Sequence, residues 1–181
     1  MSRTKLILIF SLFALPILAS YLSYYLWQPS GRKNYGELIT QVNLQDGRDQ
    51  TGQIISAAKF KGKWTLVYVG GGSCDRGCQT LLYYMRQVRS AQGPERDRIN
   101  RLWLVSDDKD PARALLAQHP GLKVVLTRDP GFLAQFAGAE SASHVYMVDP
   151  LGNLMMRFPA NPDPSRMIKD INHLLKASQI G

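Results

Sequence analysis

The sequence predicts an α/β domain, a mixed sheet flanked by helices, preceded by one N-terminal transmembrane helix. Three observations lead there. Residues 6–31 carry no charge and are mostly apolar up to Trp27. From Tyr35 onward, short β-rich apolar runs alternate with segments whose apolar residues recur at helical spacing. Asp-Pro and glycine breaks separate these segments, and a mixed sheet with helices on both faces is the layer arrangement that buries such an order of elements.

The apolar run is long enough to cross a bilayer as a helix. Pro16 falls inside it, which a membrane helix tolerates, and Tyr21, Tyr24, Tyr25 and Trp27 cluster at its far end like an interfacial aromatic belt. A cleaved signal peptide is the competing reading, because a short basic start, an apolar core and Ala19-Ser20 are all present. The length of the run and the bulky residues after Ser20 favour an uncleaved anchor. Arg3 and Lys5 ahead of it favour a cytoplasmic N-terminus, a single pass through the inner membrane and a periplasmic domain. The organisation expected is an anchor over 1–27, a Pro/Gly/Ser linker over 28–34 and a folded domain over 35–178.

Composition narrows the classes. With 181 residues, 45% hydrophobic and 20% charged, the chain is neither disordered nor polytopic. Its formal charge is +8, and without Arg3 and Lys5 the exported part keeps +6. In that compartment nucleic acid is not a partner, whereas anionic lipid or an acidic protein is compatible with the charge. Two cysteines cannot build a multi-disulfide scaffold or a four-cysteine zinc site, but outside the cytosol they can form one disulfide.

The elements follow in order. Gln41–Leu44, Asp46-Gly47 and Gln53–Ile55 read as an N-terminal hairpin. Residues 64–69, Trp-Thr-Leu-Val-Tyr-Val, form a buried central strand ended by three glycines, 70–72. Leu81, Leu82, Met85 and Val88 give residues 79–90 a helical period. Arg101–Val105 is a second strand; Asp110-Pro111 reads as a cap and first residue of a helix over 112–118. Leu122–Leu126 is a short strand and Phe132–Phe136 a short helix. Val145–Val148 and Asn153–Phe158 flank the turn Asp149-Pro-Leu-Gly152 as a hairpin, and Asp163-Pro164 opens a final helix. This succession is that of the thioredoxin fold.

The chemistry candidate is Gly70-Gly-Gly-Ser-Cys74-Asp-Arg-Gly-Cys78, leaving a strand and entering a helix. Residues four apart share a helix face, so both sulfurs point one way. Helix N-terminal N–H groups and Arg76 favour the thiolate, which is both nucleophile and metal ligand. Two uses follow: a reversible disulfide, or a soft two-sulfur site suited to Cu(I). A purely structural disulfide or two inert buried thiols is the plain alternative.

Other residues carry weaker signals. His119 and His173 read as surface or packing residues, and Met147, Met155 and Met156 as core fillers. Asp107 and Asp108 read as turn residues at a strand end. Arg86, Arg89, Arg96, Arg98 and Arg101 make a basic stretch whose default is a solvated face, the sharper reading being contact with anionic lipid or an acidic protein domain.

The sequence is similar to the Sco/SenC family of membrane-anchored, thioredoxin-like copper proteins that serve cytochrome c oxidase assembly. The similarity is carried by Lys63-Trp-Thr-Leu-Val-Tyr-Val-Gly leading into Cys74-x-x-x-Cys78, by Leu102-Trp-Leu-Val-Ser-Asp-Asp-Lys-Asp-Pro111 and by Val145-Tyr-Met-Val-Asp-Pro-Leu-Gly152. It implies copper held by Cys74, Cys78 and a histidine, with delivery to, or thiol reduction of, the copper site of the oxidase. A subunit of that oxidase, or another assembly factor, is the implied partner. In this sequence Gln79 stands where such proteins usually have proline. The only histidine nearby is His144, three residues nearer Tyr146 than the family's ligand, whose place falls at about Ser141. In an extended segment an odd shift turns a side chain to the other face. Three functions are therefore expected in order: a copper-binding or thiol-exchanging assembly factor, a general thiol–disulfide oxidoreductase, and a binding module that keeps only the fold.

Overall fold

The computed structural model describes residues 3–26, 34–136 and 144–180. Trp27, residues 28–33 of the expected 28–34 linker and Ser141 lie outside the described residues. The chain forms two compact units, one holding the N-terminal helix and the other beginning at Asn34.

The first unit is α1 (Arg3–Leu26), 24 residues with Pro16 inside and no residue buried. At a rise of about 1.5 Å per residue it is long enough, and apolar enough, to cross a membrane.

The second unit runs β1 (Glu37–Asn43), β2 (Gly47–Arg48), β3 (Ile54–Ile55), β4 (Trp64–Gly70), α2 (Arg76–Ser90), β5 (Ile99–Val105), α3 (Arg113–Ala117), β6 (Leu122–Leu126), α4 (Pro130–Ala134), β7 (Val145–Val148), β8 (Asn153–Arg157) and α5 (Pro164–Ala177). Six strands form one sheet in the order β1-β8-β7-β4-β5-β6. β4, β5 and β6 are parallel, joined by α2 and α3; β7 returns antiparallel to β4, pairing Tyr68 with Val145. This is the mixed, helix-flanked thioredoxin-like sheet expected.

Alternation along β4 explains why the strand is almost wholly apolar. Leu66 and Tyr68 face the core shared with Leu81, Met85 and Val88 of α2 and Met167 and Ile171 of α5. Val67 and Val69 face the opposite core with Phe132, Phe136 and Tyr146. Every residue of β4 is buried and both faces are covered, and its one polar side chain, Thr65, donates its hydroxyl to the Lys63 carbonyl at 3.4 Å. The three methionines behave as packing residues: Met147 and Met156 are fully buried and Met155 is partly so.

Two local expectations are corrected. Gln41–Leu44 does not pair with Gln53–Ile55. β1 instead joins β8 antiparallel, Leu38 opposite Met156, while residues 47–48 pair with 54–55 in a separate two-stranded sheet. Asp46 is drawn away from a tight turn because its carboxylate accepts the Ala57 N–H at 2.7 Å. Asp110 likewise does not cap α3. The helix begins at Arg113 with Ala112 as its cap and no side-chain capping bond. Asp129 and Asp163 do cap their helices, accepting from Gly131 and Phe132 and from Ser165 respectively.

Candidate functional site

The site grows from the end of β4. Gly70 is the last strand residue, and its carbonyl accepts both the Ser106 N–H at 3.2 Å and the Trp103 indole N–H at 3.3 Å. The chain then crosses tightly over the loop that follows β5. A Cβ on Gly72 would lie 1.5 Å from the Lys109 carbonyl oxygen, so only glycine allows this approach. Asp107 fastens the crossing: its Oδ1 accepts the Gly72 N–H at 2.8 Å and the Lys109 N–H at 3.1 Å. These bonds, the one from Gly72 foremost, hold the Asp107 carboxyl below its ordinary value. Asp107 is thus more than a turn residue. It clasps the glycine segment that presents the first cysteine.

Cys74 and Cys78 form a disulfide, with Cα atoms 5.1 Å apart. The two cysteines do not share a helix. Cys74 precedes α2 in the left-handed region, φ +42°, and only Cys78 lies within the helix. Asp75 stands between them as the N-cap, its Oδ1 accepting the Cys78 N–H at 2.9 Å. The N–H expected to favour a thiolate is therefore already bonded to a carboxylate, and the positive end of α2 is partly neutralised beside the sulfurs. Gln79 donates from Nε2 to the Cys74 carbonyl at 3.0 Å, while its own N–H closes the first helical bond to Asp75.

Each cysteine is only 4% exposed, yet both line an open depression of about 430 Å³. Tyr68 also lines it, as do Ala160 and Asn161 of the segment after β8. Burial, with Asp75 adding to it, pushes the Tyr68 phenol up to about 12, so it stays a neutral hydroxyl beside the disulfide. The depression admits a side chain or an extended segment of another molecule, which any reaction at such buried sulfurs requires.

His144 lies at the same end of the sheet, just before β7, but in a different environment. Its Nδ1 donates to the Phe158 carbonyl at 2.7 Å, since a carbonyl can only accept, and its ring packs 6.3 Å from that of Tyr146. Tyr146 belongs to the core on the far side of the sheet from α2. His144 is not among the residues lining the sulfur depression. Among the described residues no group of three or more His, Cys, Asp or Glu side chains is placed to hold a metal ion. The structure thus brings Cys74 and Cys78 together, while His144 contacts Phe158 and Tyr146.

The sequence pattern gives Tyr68 and Asp107 no part in this site, and it marks Asp75 and Gln79 in or beside the cysteine motif without a role. Asp75 carried the one readable signal, an N-cap residue three before Cys78. Asp107 and Gln79 act through contacts that spacing does not reveal.

Comparison with known proteins places this geometry. Copper-bound Sco1 from yeast is similar over 82% of this chain and 96% of its own, with 16% identity and a TM-score of 0.62. BsSco, a member of the Sco family of cytochrome c oxidase assembly proteins in which a disulfide switch has been identified, is similar over 84% and 100%, with 16% identity and a TM-score of 0.53. The dsbF protein of MTB, solved in mixed oxidised and reduced forms, is similar over 75% and 96%, with 16% identity and a TM-score of 0.52. These likenesses show a shared thioredoxin-like fold. Comparison with curated protein sequences finds no match. The model of the transmembrane-like, thioredoxin-like C-terminal domain matches residues 64–178, a span that takes in β4, the cysteine loop and everything through α5. The chain therefore belongs to the family of transmembrane-like, thioredoxin-like C-terminal domains.

Proposed function

We propose that this is a membrane-tethered, Sco-like protein whose Cys74–Cys78 pair exchanges disulfides with an assembly partner. The observation that carries the reading is the disulfide itself, set at the entrance of α2 in an open depression of a thioredoxin-like fold. In the reducing direction, a thiolate of the dithiol form attacks a partner disulfide and releases one partner thiolate, giving a mixed disulfide. The second cysteine then attacks the first, the Cys74–Cys78 bond forms, and the partner leaves as a dithiol with two electrons gained. A cytochrome c oxidase subunit or another assembly factor is the partner that the likeness to Sco proteins favours. A general oxidoreductase would use the same chemistry on many substrates. Arg3 and Lys5 in the first turns of α1, ahead of its apolar run, support a cytoplasmic N-terminus and a periplasmic domain.

The experiment is trapping. Cys74→Ser and Cys78→Ser variants, expressed in cells from the full chain, are expected to accumulate a mixed disulfide with one defined partner in at least one of the two cases. A spread of partners would point to the general oxidoreductase. No trapped species, together with normal oxidase assembly in both variants, would leave a non-catalytic binding module.

Copper as cargo is a second reading, favoured by the donor chemistry. Once reduced, Cys74 and Cys78 offer two adjacent soft sulfurs, the donor type that selects Cu(I). His144, the third ligand named by the resemblance, has its Nδ1 proton committed to Phe158, which leaves the Nε2 lone pair available in the neutral ring. Titration of Cu(I) into the reduced full chain tests this. Binding lost in Cys74→Ser or Cys78→Ser but kept in His144→Ala would assign the cargo to the sulfurs alone.

A further inference from the structure

A slot of about 390 Å³ is lined by residues of α2 and α3 and the turn after α3, Arg76, Gln79, Tyr83, Tyr84, Arg86 and His119 among others. Its walls are cationic, and two buried side chains, His119 in its lining and Arg101 near it, are short of partners. Arg101, on the α2 face of β5, is 3% exposed; its Nη2 donates to the Pro120 carbonyl at 2.5 Å, and its Nε and Nη1 have none. His119 is 5% exposed, lines the slot, and has a buried Nδ1 without a partner. Arg86 donates to the Gln118 carbonyl and lies 5.4 Å from the centre of the Tyr83 ring. Among the described residues no carboxylate pairs with Arg76, Arg86 or Arg101. Burial and the neighbouring arginines lower the affinity of both His119 and Arg101 for their protons. Arg101 is a buried cation with idle donors and no counter-charge, which is costly, and a negative charge in the neighbouring slot offsets that cost.

We propose that this slot binds a carboxylate on a hydrocarbon stem, the acidic side chain of a protein docked beside the disulfide, with Arg76, Arg86 and His119 as its recognition groups. The tyrosine rings and Leu115 provide apolar walls for the stem, a provision that free phosphate does not need. Gln79 connects the two sites. It lines the slot while its amide holds the Cys74 carbonyl, so a segment seated in the slot lies next to the cysteine loop. That the acidic segment belongs to a redox partner rests on the thiol exchange proposed above; carboxylate binding does not.

The test uses the oxidised full chain in uncharged detergent, so that no exchange can occur, with a fluorescent blocked tetraglutamate peptide as probe. Saturable binding is expected, with displacement of the His119 ring resonances and no binding of the tetraglutamine analogue. Arg86→Gln is expected to weaken binding about tenfold or more, the scale of a lost hydrogen bond to a charged group. Arg76→Gln covers the case in which Arg86→Gln fails to fold, because the Arg76 guanidinium makes no hydrogen bond or ion pair among the described residues. Arg96→Gln, on the exposed turn after α2, is the control and is expected to leave affinity within about twofold, as for a screened surface charge. Equal weakening by Arg96→Gln, unmoved His119 resonances, or binding of inorganic phosphate without the peptide would each overturn the proposal.

Discussion

The side-chain amide of Gln79 holds the carbonyl of Cys74, Nε2 to oxygen 3.0 Å, across the first turn of α2. Cys74 occupies the left-handed region at φ +42°, a conformation that costs a non-glycine residue energy unless its surroundings fix it. Gln79 is one of those surroundings, and proline at this position could neither make the bond nor donate its N–H to Asp75.

Replacing Gln79 with alanine should therefore make the disulfide easier to reduce. One neutral hydrogen bond contributes about 1 kcal/mol. Lost from the oxidised form alone, that raises the reduction potential by about 20 mV. Equilibration of wild type and Gln79→Ala with a glutathione buffer measures the difference. An unchanged potential would mean that the bond is equally strong in the dithiol form.

Asp75→Asn separates the charge of the cap from its hydrogen bond. Asparagine is an N-cap of similar quality, so the bond from the Cys78 N–H survives and stability should change little. The negative charge beside the sulfurs disappears. A charge about 4 Å away in a solvent-like medium is worth about 1 kcal/mol, so the reduced variant should react with iodoacetamide about fivefold faster at neutral pH. Alkylation followed by mass spectrometry reads this directly, and a slower reaction would reverse the assigned role of Asp75.

The parts of this fold that were legible in the sequence are those decided locally. The strand at 64–69 is announced by its unbroken apolar run, the turn at Asp149–Gly152 by its residue types, and α5 by Asp163-Pro164. The pairing of β1 is not legible locally because its partner is remote: Leu38 pairs with Met156, not with the nearby Ile54–Ile55 that an Asp-Gly turn suggests. The cysteine pair was legible from its place between a glycine turn and a helix. Its geometry was not, because the left-handed Cys74 depends on contacts to Gln79 and on the crossing over Lys109. The contact of the His144 ring with Tyr146 follows the period-two logic of the strand, since residues two apart share a face.

Gly72 and Gly77 flank the same cysteine and should respond to alanine in opposite ways. At Gly72 the new Cβ meets the Lys109 backbone carbonyl at 1.5 Å, which cannot move without displacing the loop after β5. Gly72→Ala should cost about 1–3 kcal/mol, the usual range for forced overpacking, and loosen the cysteine loop. At Gly77 the Cβ comes no closer than 3.4 Å to Asp75 Oδ1, and the position is within α2. Gly77→Ala should be neutral or add up to about 1 kcal/mol through helix propensity. Urea unfolding of the two oxidised variants side by side checks the contrast.

Asp107 gives the cysteine loop a dependence on acid. Its carboxyl titrates lower in the folded protein than in the unfolded chain, chiefly because the ionised form accepts the Gly72 N–H, with Lys109 contributing as well. A carboxylate of this kind adds stability that is fully present above the unfolded value of about 4 and is lost as pH falls through the folded one. At neutral pH, Asp107→Asn should be less stable than wild type, because a neutral amide oxygen is a weaker acceptor for the same N–H groups. As pH drops below about 4 the wild-type carboxyl takes up its proton and the gap between the two proteins should close. Chemical denaturation of both proteins from pH 7 down to pH 2, with the disulfide intact, follows that convergence. A gap that stays constant across the range would assign the effect of the substitution to shape, leaving the ionised carboxylate no part in holding the glycine crossing.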